Sequence, residues 1–443
     1  YHAASLSLHL AAVAGVYLLY GELNSASGVD AARRARLAAG ACAALFFGLH
    51  PIQVESVALA GSMADVLSSV FVIYAVLAYL RAGRAGLLLA WALTLCACLS
   101  RWHGVLVCFF LVVLDIYPLG RLPGDPRRWL GRGARSVLIE KAPFALLAFV
   151  FAVVNGAMKN AESIRPPIPP TAWEAAAAFL FYPWKLLAPG DLLPLYILSG
   201  PENPAPWAPG LGALVVAAIT AVLVYFRRRP AALAAWLCAL AALAPTTIAP
   251  FLGGRPIYAH DRYAYLFSAA IFLLAGAGFE RAALRFGTLR ACALAVLPLA
   301  ALAVSTRSQI GVWRSSLALW RHVLAVDPRS ELGNGRMAVT LLGQGRPYES
   351  AYYYREQARS DPEAMRHFVM LELVVAGRLM GEVKPEAALR PLELALRWSP
   401  DSSEVRLRLA IALRRAGQAA RADAELEREL GGRLASPNSH FLA

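Results

Sequence analysis

The chain of 443 residues is 58% hydrophobic and only 16% charged, with a mean hydropathy of +0.51. That balance excludes a soluble protein of this size, which needs more surface charge, and an intrinsically disordered one. The formal charge of +14 raises nucleic acid as a partner, but residues 1–305 carry 23 Lys and Arg against 13 Asp and Glu, and residues 306–443 carry 20 against 16, so most of the excess lies in the apolar part.

In chain order, ten apolar stretches predict spans near 4–21, 37–49, 64–80, 86–100, 104–118, 142–157, 209–226, 231–249, 264–279 and 291–305. Several fall short of the roughly 20 residues that cross a bilayer. Tyr1-His2 leads directly into the first stretch, without an initiator Met or a basic leader, so a preceding segment is expected to be missing. Within that stretch His9 reads as one side of an interhelical hydrogen bond. After the second stretch comes His50-Pro51-Ile52-Gln53-Val54-Glu55. Pro51 suits a first helical position, and Glu55 then falls in the first turn, where the helix dipole favours its charge. Asp65 follows in Gly61-Ser62-Met63-Ala64-Asp65, and Ser100-Arg101-Trp102-His103 makes the next turn on the same side.

Between 158 and 208, Arg165-Pro166-Pro167-Ile168-Pro169-Pro170 reads as a stiff turn or a short polyproline segment. Residues 172–187, with Trp173, Tyr182 and Trp184, either lie along the membrane interface or form a hairpin with 192–198. The aromatic residues favour the interface. Further on, Gly253-Gly254-Arg255 and His260-Asp261-Arg262-Tyr263 form another turn on the side of Glu55.

The basic residues alternate between loops. Seventeen fall on one side, at 33–36, 81–84, 121–141, 227–229 and 281–290; six fall on the other: Arg101, Lys159, Arg165, Lys185, Arg255 and Arg262. The positive-inside rule puts the seventeen in the cytoplasm, and Glu55, Arg262 and the C-terminal region outside. A nucleic-acid binder would gather its arginines on one face, so no nucleic acid is expected. All six cysteines sit in apolar stretches and read as free thiols packed like small hydrophobes. No zinc spacing occurs.

In residues 306–443, Asp327-Pro328 returns as Asp361-Pro362, 34 residues later, and Ser399-Pro400 follows after 38. Thirty-four is the period of the tetratricopeptide helix–turn–helix. Leu332 to Asn334 opens a helix, Gly343 to Arg346 turns, and Tyr348 to Ala351 opens the next; a later unit turns at Ala416-Gly417-Gln418. The fold class expected is therefore all-α: a polytopic membrane domain over 1–305, then an α-solenoid of tetratricopeptide-like repeats over 306–443. An unrelated bundle of helical hairpins is the plainer alternative.

The outer side thus gathers Glu55, Asp65, Asp261, His50, His103, His260, Arg101 and Arg262. Capping, snorkelling and interface anchoring explain any one of them. A converging group at short turns points instead to chemistry. Here the residues resemble a known family. Leu49-His50-Pro51-Ile52-Gln53-Val54-Glu55-Ser56-Val57 is similar to the H-P-x-x-x-E-x-V segment of the transmembrane-and-tetratricopeptide O-mannosyltransferase-like proteins, in the GT-C glycosyltransferase superfamily. Ala64-Asp65-Val66-Leu67, Tyr1-His2-Ala3-Ala4-Ser5-Leu6-Ser7-Leu8-His9, Tyr182-Pro183-Trp184-Lys185-Leu186-Leu187 and Asp261-Arg262-Tyr263-Ala264-Tyr265-Leu266 resemble further family segments, in order along the chain. Ser100-Arg101-Trp102 departs from the family's S-K-E. The family's first outer loop, with an acidic pair thought to supply the base, precedes the segment matching Tyr1-His2.

The resemblance implies an enzyme that moves a mannose-like sugar, with inversion, from a polyprenyl-phosphate donor to a protein hydroxyl outside the membrane. Arg262, and second Arg101, would hold the departing lipid phosphate. Glu55 would orient the acceptor, or a divalent metal if one is used; no cofactor is otherwise implied. His50, Asp65, His103, His260, Asp261 and Tyr263 would line the substrate site, and the repeats would bind the acceptor protein. The fragment without the preceding loop is expected to be inactive. The Ala-, Arg- and Leu-rich composition suggests a bacterial plasma membrane. Two other readings remain: a non-catalytic membrane-anchored repeat scaffold, and an O-antigen ligase- or polymerase-like enzyme. A transporter or flippase is disfavoured, since no paired broken helices are evident.

Overall fold

A computed structural model describes residues 1–26, 33–81, 83–162, 172–197, 208–226, 230–252, 257–360, 385–398, 400 and 402–434. Among these the fold is helical apart from one two-stranded ribbon. The chain divides into two compact units, Tyr1–Trp313 and Arg314–Ala443.

The first unit contains α1 (His2–Ala26), α2 (Arg33–Gly48), α3 (Val54–Ala58), α4 (Met63–Leu80), α5 (Gly83–Ser100), α6 (Val107–Ile116), α7 (Arg132–Glu162), α8 (Ala172–Leu187), α9 (Ala208–Tyr225), α10 (Pro230–Leu252), α11 (Ala264–Phe286) and α12 (Thr288–Val312). All ten apolar stretches coincide with helices, three of them (37–49, 104–118 and 209–226) running one or two residues past a helix end. Among the described residues six helical segments are long and apolar enough to cross a membrane, and a seventh if α2 and Pro51–Ala58, bent by 53°, count as one span. The other three stretches coincide with the apolar segment Trp102–Ile116, with α9 of 18 residues and with α10 of 23 residues. The last stretch continues to Val312, so the expected boundary at 305 falls inside α12. Such helices are compatible with an integral membrane protein: α12 leaves Leu289 and Leu297 about four-fifths exposed, as a lipid-facing helix does.

Short connections make neighbouring helices antiparallel, so the unit has two ends. At one end Arg81 pairs with Glu22 at 3.0 Å. There too, Asp115 on α6 accepts from the Tyr79 hydroxyl of α4 at 2.8 Å and pairs with Lys141 of α7 at 2.7 Å. Lys141 is buried, so this one of the seventeen basic residues ties helices together instead of marking a solvated loop. At the other end the His9 ring lies 2.8 Å from the Tyr265 hydroxyl and 3.2 Å from the Gly48 carbonyl, the interhelical bond expected of it. The Thr306 hydroxyl reaches back to the Leu49 carbonyl at 2.6 Å. Where α2 crosses α11, a Cβ on Gly276 would lie 3.0 Å from the Ala39 carbonyl oxygen and the Ala43 methyl. Glycine allows this close approach, as in packed membrane helices.

Residues 172–187 are helix α8. Residues 192–197 do not return as a helical hairpin with it; Tyr196–Ile197 (β1) pairs antiparallel with Ile257–Ala259 (β2), with Tyr196 opposite Ala259.

The second unit contains helices Ser316–Val326, Glu331–Gly343, Pro347–Ser360, Pro385–Trp398, Ser403–Arg415 and Ala419–Leu434. Ser315, Ser330 and Ser402 cap their helices through their hydroxyls. The expected turns occur at Gly345 and Gly417, both at positive φ. Ala338, Tyr354, Leu392, Leu409 and Leu413 share one core. Asp361-Pro362 and Ser399, two of the repeat markers, lie outside the described residues.

Candidate functional site

The site is assembled from short turns at the end of the first unit where α2 meets α3. His50 extends as an N-cap, its Nδ1 accepting from the Ile52 N–H at 3.2 Å, and Pro51 opens the 3-10 turn Pro51–Gln53. This places Glu55 in the first turn of α3. The 3-10 turn Asp261–Tyr263 precedes α11. Glu55 grips Arg262 twice: Oε2 accepts from the Arg262 backbone N–H at 3.1 Å, and Oε1 pairs with the guanidinium Nη1. The Arg262 guanidinium also sits 5.2 Å over the Tyr263 ring.

A second pair lies alongside. Asp65, in the first turn of α4, accepts from Arg101 Nε at 2.8 Å. The Ser68 hydroxyl donates to the Ala97 carbonyl at 3.0 Å, fixing the end of α5 that carries Arg101. His103 is buried with Nδ1 3.9 Å from Asp65 Oδ1, beyond hydrogen-bond reach. Asp65 is close enough to Arg262 and Tyr263 for their charges to interact. The turns therefore bring Glu55, Asp65, Arg101, His103, Asp261, Arg262 and Tyr263 into one cluster.

His260 and His50 stand differently. His260 Nδ1 lies 2.7 Å from the Pro194 carbonyl. A carbonyl only accepts, so Nδ1 carries the proton. Burial, with the charge of Arg262 second, pushes the His260 ring down to about 3, so it is neutral near pH 7. His50 uses both ring nitrogens in the backbone: Nε2 meets the Leu186 carbonyl at 3.1 Å. That makes it a link between the Pro51 turn and the end of α8.

Three residues not predicted for the site support it. The Tyr196 hydroxyl donates to Asp261 Oδ1 at 2.9 Å; burial and the Asp261 charge hold that phenol well above its ordinary range, so it stays a donor. Tyr182 donates to the His260 carbonyl at 3.1 Å. Lys185 Nζ donates to the carbonyls of Gly190 at 2.9 Å and Asp191 at 3.3 Å and lies 5.3 Å from the Tyr196 ring. The i, i+3 spacing of Tyr182 and Lys185 put them on one helical face in the sequence. No local signal marked Tyr196, because its place depends on the ribbon.

Exposure separates the two arginines. The Arg101 side chain is 41% exposed and the Arg262 side chain 17%, while Asp65 and Glu55 are almost fully covered. Arg101 spends Nε on Asp65, leaving its terminal guanidinium nitrogens on the open side. Six buried atoms at this end have no hydrogen-bond partner among the described residues: Ser5 Oγ, Gln53 Oε1, Ser56 Oγ, Ser62 Oγ, Asp65 Oδ2 and His103 Nδ1. Buried polar atoms are normally paired, so this end has an unusual supply of unused hydrogen-bonding capacity. Among the described residues no three His, Cys, Asp or Glu side chains are grouped to hold a metal ion.

No family model, curated protein or solved structure matches the chain.

Proposed function

We propose that the chain is a membrane glycosyltransferase of the GT-C kind, similar to the transmembrane-and-tetratricopeptide O-mannosyltransferase-like proteins. It moves a mannose-like sugar from a polyprenyl phosphate to a protein hydroxyl. The bond from the anomeric carbon to the phosphate oxygen breaks, and its electron pair leaves on the phosphate. The acceptor oxygen attacks from the opposite face and loses its proton to a base. Glu55 and Asp261 are both buried in hydrogen bonds and Asp65 is covered, so none of the three is assigned as that base.

The carrying observation is the open guanidinium of Arg101 beside a buried, fixed Glu55–Arg262 pair at one end of an apolar bundle. Negative charge develops on the leaving phosphate, and a preorganised guanidinium stabilises it. Arg101 therefore takes the leading phosphate role, ahead of Arg262. Glu55 and Arg262 fix the turn, while His103, His260, Asp65 and Tyr263 border the sugar. On this reading the cluster faces outward from a bacterial plasma membrane and the basic end faces the cytoplasm. The helical hairpins of the second unit, with their Gly345 and Gly417 turns, act as tetratricopeptide-like repeats that bind the acceptor protein.

The test is polyprenyl phosphate binding to the purified protein, read as a melting shift. Arg101→Gln should weaken binding by about tenfold or more, the scale of a lost charge-assisted hydrogen bond; equal binding would refute the assignment. A second reading is a repeat scaffold with a decayed centre. One observation favours it: the acid of the family's S-K-E is absent at Trp102.

A further inference from the structure

The opposite, basic end of the first unit contains a cavity to which none of the site residues contributes. It lies between α1, α4, α6, α10 and α11, is open on one side, and has a cavity volume of about 170 Å³. Its walls are apolar, with Val72, Val76, Phe110, Ala235, Ala270 and Leu273 among them. Along α11 it runs from Leu266 to Ala277, roughly 16 Å of helix. Three of its wall helices, α1, α4 and α11, are long and apolar enough to cross a membrane. With these helices spanning a bilayer, the cavity would open to hydrocarbon.

Its polar groups are confined to one end. Tyr20, Asn24 and Tyr117 line it where α1 and α6 finish. The Tyr20 hydroxyl and the Asn24 amide both donate to Glu280 Oε2, the latter at 3.0 Å, so that end is built and fixed. The next residue on α11, Arg281, is exposed, and its charge acts on the Tyr20 hydroxyl. It forms no ion pair among the described residues, unlike Arg81, which is held by Glu22. Arg285, at the end of the same helix, adds a second positive charge. An apolar slot, a small polar collar and an exposed cation beyond it complement an amphiphile with an anionic head. An unfilled slot of this kind would forfeit dispersion contacts along all five helices.

We propose that this cavity holds one acyl chain of an anionic phospholipid from the leaflet at the basic end, with Arg281 facing its phosphate. This lipid site is distinct from the Glu55–Arg262 cluster and does not depend on the function assigned to it. The chain completes the packing of α10 against α1 and α4, so the lipid acts as a structural ligand.

The test is native mass spectrometry of the intact protein released from detergent, with phosphatidylglycerol and phosphatidylcholine supplied in equal amounts. One phosphatidylglycerol should remain bound in preference to phosphatidylcholine. Arg281→Gln should reduce that preference by about fivefold, the contribution of one basic residue at an anionic membrane surface. Ala235→Phe and, as an independent filling of the same slot, Ala270→Phe should abolish the retained lipid without lowering the melting temperature. The proposal is overturned if either filled variant is folded and still holds its lipid. It is equally overturned if the unaltered protein retains neither lipid, or retains both alike.

Discussion

Glu55 spends one oxygen on the Arg262 backbone and the other on its guanidinium. Removing one partner of such a pair strands a buried charge, whereas removing both does not. Arg262→Ala should therefore destabilise the protein by about 3–5 kcal/mol. The double variant Glu55→Gln with Arg262→Met should recover most of that loss in denaturant or thermal unfolding. Equal losses in both would mean that the pair is not buried as described. His260 gives a pH signature. Its folded pKa, about 3, lies below the ordinary value of about 6.5. As pH falls, the unfolded chain takes up the proton first. The neutral ring's contribution is therefore complete above pH 6.5 and is lost progressively from there towards pH 3. Melting temperatures at pH 7.5 and 5.0 should differ more in the unaltered protein than in His260→Gln. The individual residues were legible in the sequence because charges at span ends are few and costly. Their ranking was not, because Arg101 and Arg262 differ by exposure, which depends on what packs over each.

At the scale of elements, the turns carry the site more than the long helices do. A Cβ on Gly104 would sit 2.8 Å from the Ala97 carbonyl carbon and run into Cys98. Trp102–Leu106 can therefore lie against α5 only with glycine at this position. Gly104→Ala should push this turn outward, part Arg101 from Asp65 and lower the melting temperature; an unchanged melting temperature would contradict the packing. Hydrophobic runs announced α1, α4, α5, α11 and α12, and Pro51 announced its own turn. The β1–β2 ribbon was not legible: two and three residues are too few for a strand pattern. Their pairing joins positions about sixty residues apart.

For the whole molecule, the two ends of the first unit are the organising feature. One carries Arg81, Lys141 and Arg281, and the other carries the Glu55 cluster. Cysteines introduced singly into a cysteine-free background should label from opposite sides of sealed vesicles, Arg84→Cys from one side and Gly61→Cys from the other. Labelling of both from one side would break the two-ended arrangement. The alternation of basic segments made this arrangement legible from composition alone, although Lys141 proved to be an internal partner of Asp115. The central claim is that the Glu55 end is a sugar-transfer centre in which Arg101 receives the phosphate. Its most direct measurement is transfer of radiolabelled mannose from polyprenyl-phosphate mannose to protein in membranes carrying the full-length protein, with Arg101 or with Arg101→Gln. The account predicts transfer by the full-length protein and a fall of about a hundredfold or more in the variant, the scale of a lost transition-state charge contact, with folding retained. Undiminished transfer by a folded Arg101→Gln variant, or none by the full-length protein with Arg101, would contradict it.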